Sequence, residues 1–190
     1  MLEFDHVSFS YPGGKPILQD LSFRLGDGDL LTVMGSSGCG KSTLLSLAAG
    51  LLKPTGGRVI CTANRTACVF QEPRLFPWLT VAQNLAAVLP APAPAAIANV
   101  LTDMELFGCA ALYPSELSGG MKSRVALARA LLFGGDLYLL DEPFSALDAD
   151  LRRRLTEKMT AHLMRTGASA LLVTHQPEDA KRFGSPVLSL

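Results

Sequence analysis

At 190 residues the chain has room for one domain, or for one domain carrying an insertion. Apolar residues at 48% and charged residues at 18% exclude a disordered chain, and aromatics at 7% leave a core of mainly Leu, Val and Ala. Seventeen basic residues balance 17 acidic ones, and a formal net charge of +0 argues against a broad nucleic-acid or anionic-membrane surface.

The N-terminal part reads as short antiparallel strands. Leu2–Phe4 and Val7–Phe9 alternate in character, Tyr11-Pro12-Gly13-Gly14 is a turn, and Leu21–Leu25 alternates up to the turn Gly26–Asp29. Leu30–Met34 is almost wholly apolar, the mark of a strand buried on both faces. Lys41–Ala49 predicts a helix ending at Gly50. Residues 72–117 are rich in Ala, Leu and Pro without β-branched runs, which predicts a mostly helical insertion. Met121–Phe133 predicts a helix stopped by Gly134-Gly135, and Leu137–Leu140 and Ala170–Val173 are two further apolar strands. Between them Leu151, Leu155, Met159 and Leu163 recur every fourth residue, predicting a helix from about Asp150 to Thr166 that stops at Gly167. Pro186–Leu190 reads as a last strand. Buried strands alternating with helices predict an α/β fold whose parallel sheet is covered on both sides.

The four cysteines, Cys39, Cys61, Cys68 and Cys109, form no CxxC pair and no Cys/His cluster, so neither a zinc site nor a disulfide framework is expected. Scattered thiols suit a reducing cytosol. The opening Met1–Asp5 carries acid where a signal peptide is basic, and no apolar run reaches spanning length. Work at a membrane would then need another chain to supply the spans.

Three motifs carry chemistry. Gly35-Ser36-Ser37-Gly38-Cys39-Gly40-Lys41-Ser42, followed by Thr43, matches G-x-x-x-x-G-K-[ST] between a buried strand and a helix, the context a phosphate loop requires. Glycines let successive N–H groups curl around phosphate oxygens, Lys41 can reach the β- and γ-phosphates, and the Ser42 hydroxyl can ligate Mg²⁺. Leu137–Leu140 ends in Asp141-Glu142, which suits Asp141 to the Mg²⁺ sphere and Glu142 to orienting or deprotonating a water. Ser118-Gly119-Gly120 opens a helix, with Ser118 as a good N-cap and a second anion-binding end. Gly35, Gln71, Asp141 and His175 each follow a strand-like segment, and in a parallel sheet such ends converge on one edge.

In this order, the phosphate loop, Leu117-Ser118-Gly119-Gly120, Leu139-Leu140-Asp141-Glu142-Pro143, Ser145-Ala146-Leu147-Asp148 and Thr174-His175 resemble the motifs of ABC-type ATPases over nearly the whole chain. The resemblance implies a P-loop NTPase with a RecA-type parallel-sheet core and an N-terminal antiparallel β subdomain. It further implies a helical subdomain, 72–117, inserted within one ATPase domain over 1–190. It implies ATP and Mg²⁺ as cofactors and assigns Tyr11 to adenine stacking. Gln71 would touch Mg²⁺ and the attacking water, and His175 the γ-phosphate. Asp148 would communicate across a dimer, with a helix N-cap as a further role, and Ser118, Gly119 and Gly120 would act on the nucleotide of a second copy.

The implied partners are that second copy, a transmembrane permease and a solute-binding protein, with no nucleic acid. The implied location is the cytoplasm, on the inner face of the cell membrane. The segment Gln71–Thr80 resembles that of importers for nitrate, sulfonate and taurine-like anions, in which Phe76, Trp78 and Leu79 would either receive a permease helix or pack internally. The chain departs from the family at Met121, where Gln is usual, and Cys39 in the phosphate loop either packs as a small residue or confers thiol sensitivity. Fifteen residues follow His175, so no C-terminal regulation is expected. Rival readings are a soluble ABC-type ATPase acting on protein assembly or nucleic acid, and a nucleotide switch without turnover. The first lacks a basic stripe or coiled coil, and Glu142 and His175 argue against the second.

Overall fold

Two sheets of opposite character are built in the computed structural model, which describes residues 1–190. Strands β1 (Leu2–Ser10) and β2 (Pro16–Leu25) pair antiparallel, after which β3 (Leu30–Met34) and helix α1 (Lys41–Ala48) cross into the second sheet. Strand β4 (Gly56–Cys61) returns to the free side of β1, giving the order β2-β1-β4. There follow β5 (Thr66–Val69), α2 (Val81–Ala86), α3 (Pro94–Asp103), one 3₁₀ turn at Pro114–Glu116 and α4 (Gly119–Phe133). The chain closes with β6 (Leu137–Asp141), α5 (Ala149–Thr166), β7 (Ser169–Val173), α6 (Pro177–Phe183) and β8 (Val187–Ser189). The second sheet is parallel throughout, in the order β5-β6-β7-β3-β8.

Its central strands β6 and β7 are buried along their whole length, as their apolar runs dictate. One face packs Val33, Leu139 and Leu171 against Leu44 and Leu47 of α1 and against Leu2 and Phe4 of the antiparallel sheet. The other packs Leu140 and Leu172 against Val125 of α4 and Leu155 and Met159 of α5. Leu85, Leu101 and Met104 from the helical stretch belong to this second core, so residues 72–117 are seated on the sheet side. Each such side chain contributes about 1.5–3 kcal/mol on burial. No helix is long and apolar enough to cross a membrane.

The antiparallel sheet differs most from expectation. Leu2–Phe4 and Val7–Phe9 are one strand, because Asp5-His6 forms a bulge with His6 at φ +51. The His6 N–H donates to Ser22 Oγ at 2.9 Å, and its ring lies 2.6 Å from Asp20 Oδ1. Strand β4 had no visible alternation, since Gly56-Gly57-Arg58 occupies half of it. Gly57 is required there: at φ +70, a Cβ would lie 2.1 Å from the His6 carbonyl oxygen of the bulge. Elsewhere boundaries fall close to the pattern, with α5 capped by Asp148, which accepts from the Leu151 N–H at 3.0 Å, and ended by Gly167 at φ +67.

Candidate phosphate-binding and catalytic site

The loop after β3 wraps around its own lysine. Lys41 is buried, and its Nζ donates to the carbonyls of Gly35 at 2.9 Å and Ser36 at 2.7 Å, with Cys39 Sγ at 3.9 Å. Gly40 precedes α1 at φ +107, and a Cβ on it would lie 2.7 Å from the Ile17 side chain. A cleft of about 190 Å³ opens over this turn. Ser37, Gly38, Gly40, Lys41, Ser42 and Thr43 line it together with Gln71, Asp141 and Glu142, and Ile17 lies beside Gly40. Tyr11 stands at the rim with its ring edge-on to Phe9 at 5.0 Å and its hydroxyl 3.5 Å from Thr43 Oγ1.

The far wall comes from adjacent strand ends. β5, β6, β7 and β3 lie side by side and parallel, so Gln71, Asp141, His175 and Gly35 leave the sheet at one edge. Asp141 is the last residue of β6 and is buried. Burial pushes its carboxyl above the usual carboxylate range and the Glu142 charge adds to that, while the Ser42 hydroxyl bond and the Lys41 charge oppose it. Glu142 turns out of the strand at φ +47, a left-handed conformation that costs a non-glycine residue about 1–3 kcal/mol. Its N–H donates to the Val173 carbonyl at 2.9 Å, and its Oε1 lies 3.0 Å from His175 Nδ1. The other ring nitrogen of His175 is 3.1 Å from Gln176 Nε2.

The Ser42 hydroxyl, the Asp141 carboxylate and the Gln71 carboxamide are hard oxygen donors of the kind Mg²⁺ takes. No group of three His, Cys, Asp or Glu side chains forms an all-protein metal cage. A donor set this small fits an ion that keeps waters and shares phosphate oxygens.

The Ser118 turn lies apart from this cleft. Ser118 Oγ caps α4, accepting from the Met121 N–H at 3.3 Å. A Cβ on Gly120 would lie 2.9 Å from the Ala146 carbonyl oxygen, whereas one on Gly119 would meet nothing within 4 Å.

A family model described as ABC transporter matches residues 18–145. The chain belongs to the ABC transporter family. Over 86% of its length it is 43% identical to the aliphatic sulfonates import ATP-binding protein SsuB of Bacillus licheniformis, covering 68% of that protein. It is 39% identical over 94% of its length to the taurine import ATP-binding protein TauB of Pelagibacter ubique, covering 73% of it. Against the nitrate import ATP-binding protein NrtC of Synechococcus elongatus it is 38% identical over its whole length, yet spans only 32% of that relative. Among solved structures, the dimeric post-hydrolysis state of the ATP-binding cassette MJ0796 bound to ADP and Pi superposes with a TM-score of 0.91 at 28% identity. That match covers 100% of this chain and 94% of the other.

In this ABC-family chain, the sequence-predicted residues sort into three groups. Ser37, Gly38, Gly40, Lys41, Ser42, Thr43, Gln71, Asp141 and Glu142 meet at the cleft. Gly35, Ser36 and Cys39 frame the loop from behind, while Tyr11 touches the site through Thr43 and His175 through Glu142. Ser118, Gly119, Gly120 and Asp148 stand at other helix starts. Sequence reasoning missed Ile17, whose side chain lines the cleft beside Gly40, because the apolar pair Ile17-Leu18 after Pro16 carries no distinguishing pattern.

Proposed function

We propose that this chain is the ATP-hydrolysing subunit of an ABC importer, one ATPase domain over 1–190 with residues 72–117 as its inserted helical subdomain. It works as a pair of copies on the cytoplasmic face of the cell membrane. The pair drives a separate permease supplied with solute by a solute-binding protein. The convergence of Lys41, Ser42, Gln71, Asp141 and Glu142 on one cleft carries the reading. Its relatives named as sulfonate, nitrate and taurine import ATP-binding proteins support the direction of transport.

In the proposed mechanism the N–H groups of residues 35–43 and the Lys41 ammonium hold the β- and γ-phosphates, and the Tyr11 ring stacks on adenine. Ser42, Asp141 and Gln71 hold Mg²⁺, which when bound offsets charge on the phosphates. Glu142 orients a water in line with the γ-phosphorus and takes its proton, as a new P–O bond forms and the bond to the ADP oxygen breaks. His175 keeps the Glu142 carboxylate in place and contacts the γ-phosphate. Ser118, Gly119 and Gly120 of the second copy close over the nucleotide, and Asp148 relays between the copies. Dimeric neighbours among the solved structures support that pairing.

The segment before α2 supports a permease contact. Asn84 is fully buried, and its carboxamide binds the Phe76 N–H at 2.8 Å and the carbonyls of Phe76, Leu79 and Thr80 at 3.0–3.1 Å. The loop is thereby fixed with Trp78 70% exposed beside Phe76, while Leu79 turns partly inward. Phe76 and Trp78 then offer a rigid apolar patch to a permease helix.

The decisive experiment is Glu142→Gln, which keeps the site's shape and removes the base. Hydrolysis should fall by about 10²–10⁴-fold. With saturating Mg-ATP the variant should run as a dimer in light scattering; a monomer there counts against the reading.

A further inference from the structure

Two buried side-chain polar atoms in the chain have no hydrogen-bond partner, Arg152 Nε and Asp179 Oδ1. They belong to helices that pack together, α5 and α6, and their charges are opposite. Asp179 is 2% exposed, and the nearby Arg152 charge offsets part of the upward push that burial gives its carboxyl. Buried polar atoms left without partners are rare and call for an explanation. Each carries the chemistry the other lacks, an N–H donor on Arg152 and a carboxylate acceptor on Asp179.

The two residues also stand at the missing link of a ring. Ser145 donates to the Glu142 carbonyl through its N–H at 3.2 Å and its Oγ at 3.0 Å. Arg152 Nη2 donates to the carbonyls of Ser145 at 3.4 Å and Leu147 at 3.1 Å. On the other side, Thr174 Oγ1 donates to Asp179 Oδ2 at 3.2 Å and accepts from the Gln176 N–H at 3.1 Å, which fixes both neighbours of His175. His175 then meets Glu142 Oε1 at 3.0 Å. From Glu142 through Ser145, Arg152, Asp179, Thr174 and His175 the path returns to Glu142, open only between Arg152 and Asp179.

We propose that Arg152 and Asp179 are positioning residues, which close this ring and so hold Glu142 and His175 in register for hydrolysis. The proposal rests on the roles given to Glu142 and His175 above. A left-handed conformation at Glu142 persists only when its surroundings over-determine it, and the ring is that surrounding. The same ring ties the Thr174–His175 loop to the turn that leads into Asp148, two segments with no direct covalent neighbourhood.

Asp179→Asn keeps the side-chain volume and removes the charge. It should lower kcat for ATP by about tenfold, the scale of a small misplacement of reacting groups, with KM changed less than about twofold. Asp179→Glu keeps the charge and reaches further across the gap, and should restore kcat. Arg152→Met should slow hydrolysis as Asp179→Asn does, and the double variant should be no slower than the worse single one, the signature of a shared linkage. Wild-type kcat in Asp179→Asn, or losses that multiply in the double variant, would overturn the ring. So would losses in all variants that follow the folded fraction by thermal melting, since that marks a purely structural role. Glu142→Gln serves as the reference: if it still hydrolyses ATP, the site reading itself fails. If it is inactive while Asp179→Asn is normal, only the ring fails.

Discussion

Two glycine-bearing turns open helices in this chain, and they differ in what their glycines are for. Before α1, a Cβ on Gly35 would lie 2.5 Å from Cys39 Sγ and 2.8 Å from the Leu190 carbonyl oxygen, and Gly40 is pinned by its φ of +107. The chain itself requires these glycines, and it encloses the turn with Lys41, Asp141 and Glu142. At the start of α4, Gly120 is pressed on the Ala146 carbonyl, but Gly119 is exposed and nothing in its own chain occupies the space beside it. A helix start that presents N–H groups into open space is solvated in its own chain and free to meet an anion from outside. The first turn is built and walled by its own chain; the second is, in the proposed function, the part that a second copy brings to the nucleotide.

Gly119→Asp sharpens that difference most. No steric cost arises in the monomer, and an acid in the first helical turn contributes about 0.3–1 kcal/mol of stability through the helix dipole. Facing a partner's phosphates, the same charge should lower ATPase activity by about 100-fold or more, since like charges brought together cost several kcal/mol. Lys41→Ala should be similarly inactive by losing phosphate binding in its own chain. Mixing the two inactive proteins should restore about a quarter of wild-type activity, because half of randomly formed dimers are mixed and each then has one intact composite site. A coupled-enzyme assay of the mixture reads this directly; no regain of activity would put both turns in one chain's site.

Trp78 repeats the Gly119 pattern on another face. It is held outward by a loop that the buried Asn84 fixes, with its ring 5.7 Å from that of Phe76. Trp78→Ala should leave the thermal midpoint unchanged, as surface substitutions do within about 0.5 kcal/mol. Co-purification with the permease should weaken by about tenfold or more, the scale of a buried aromatic anchor. Undiminished co-purification would return Trp78 to an ordinary surface residue.

What was readable in advance follows the same division. The buried strands β6 and β7 and the helix α5 announce themselves because one chain's core dictates apolar runs and a repeat of Leu155, Met159 and Leu163. The convergence of Gln71, Asp141 and His175 was legible for the same reason, since parallel strand ends must share an edge. The bulge at His6 with its Gly57 partner was not, because two residues 51 apart in sequence decide it together. Nor was the burial of Arg152 Nε and Asp179 Oδ1: each looks like a solvated helix charge until α5 and α6 are packed. The residues proposed to act on a second copy, Ser118 and Asp148 among them, appear in their own fold as helix caps.

Asp141 brings the comparison down to its smallest effect, because the chain holds this residue against its own stability. Burial, with Glu142 beside it, raises the carboxyl in the folded state above its unfolded value. The folded protein therefore binds the proton more tightly than the unfolded chain, and stability without nucleotide should fall as pH rises through and above the usual carboxylate range. Asp179, raised by burial as well, adds to the same slope. Asp141→Asn should raise the thermal midpoint of the nucleotide-free protein at neutral pH by a few degrees and flatten part of that slope, while abolishing Mg²⁺-dependent hydrolysis. Thermal melts from pH 4 to 8 would measure both effects. If the asparagine variant melts no higher than wild type, the Ser42 hydrogen bond already offsets the burial of the charge, and the site is at ease without its ligand. If it melts higher, the carboxylate is present for the cation it meets and not for the fold that carries it.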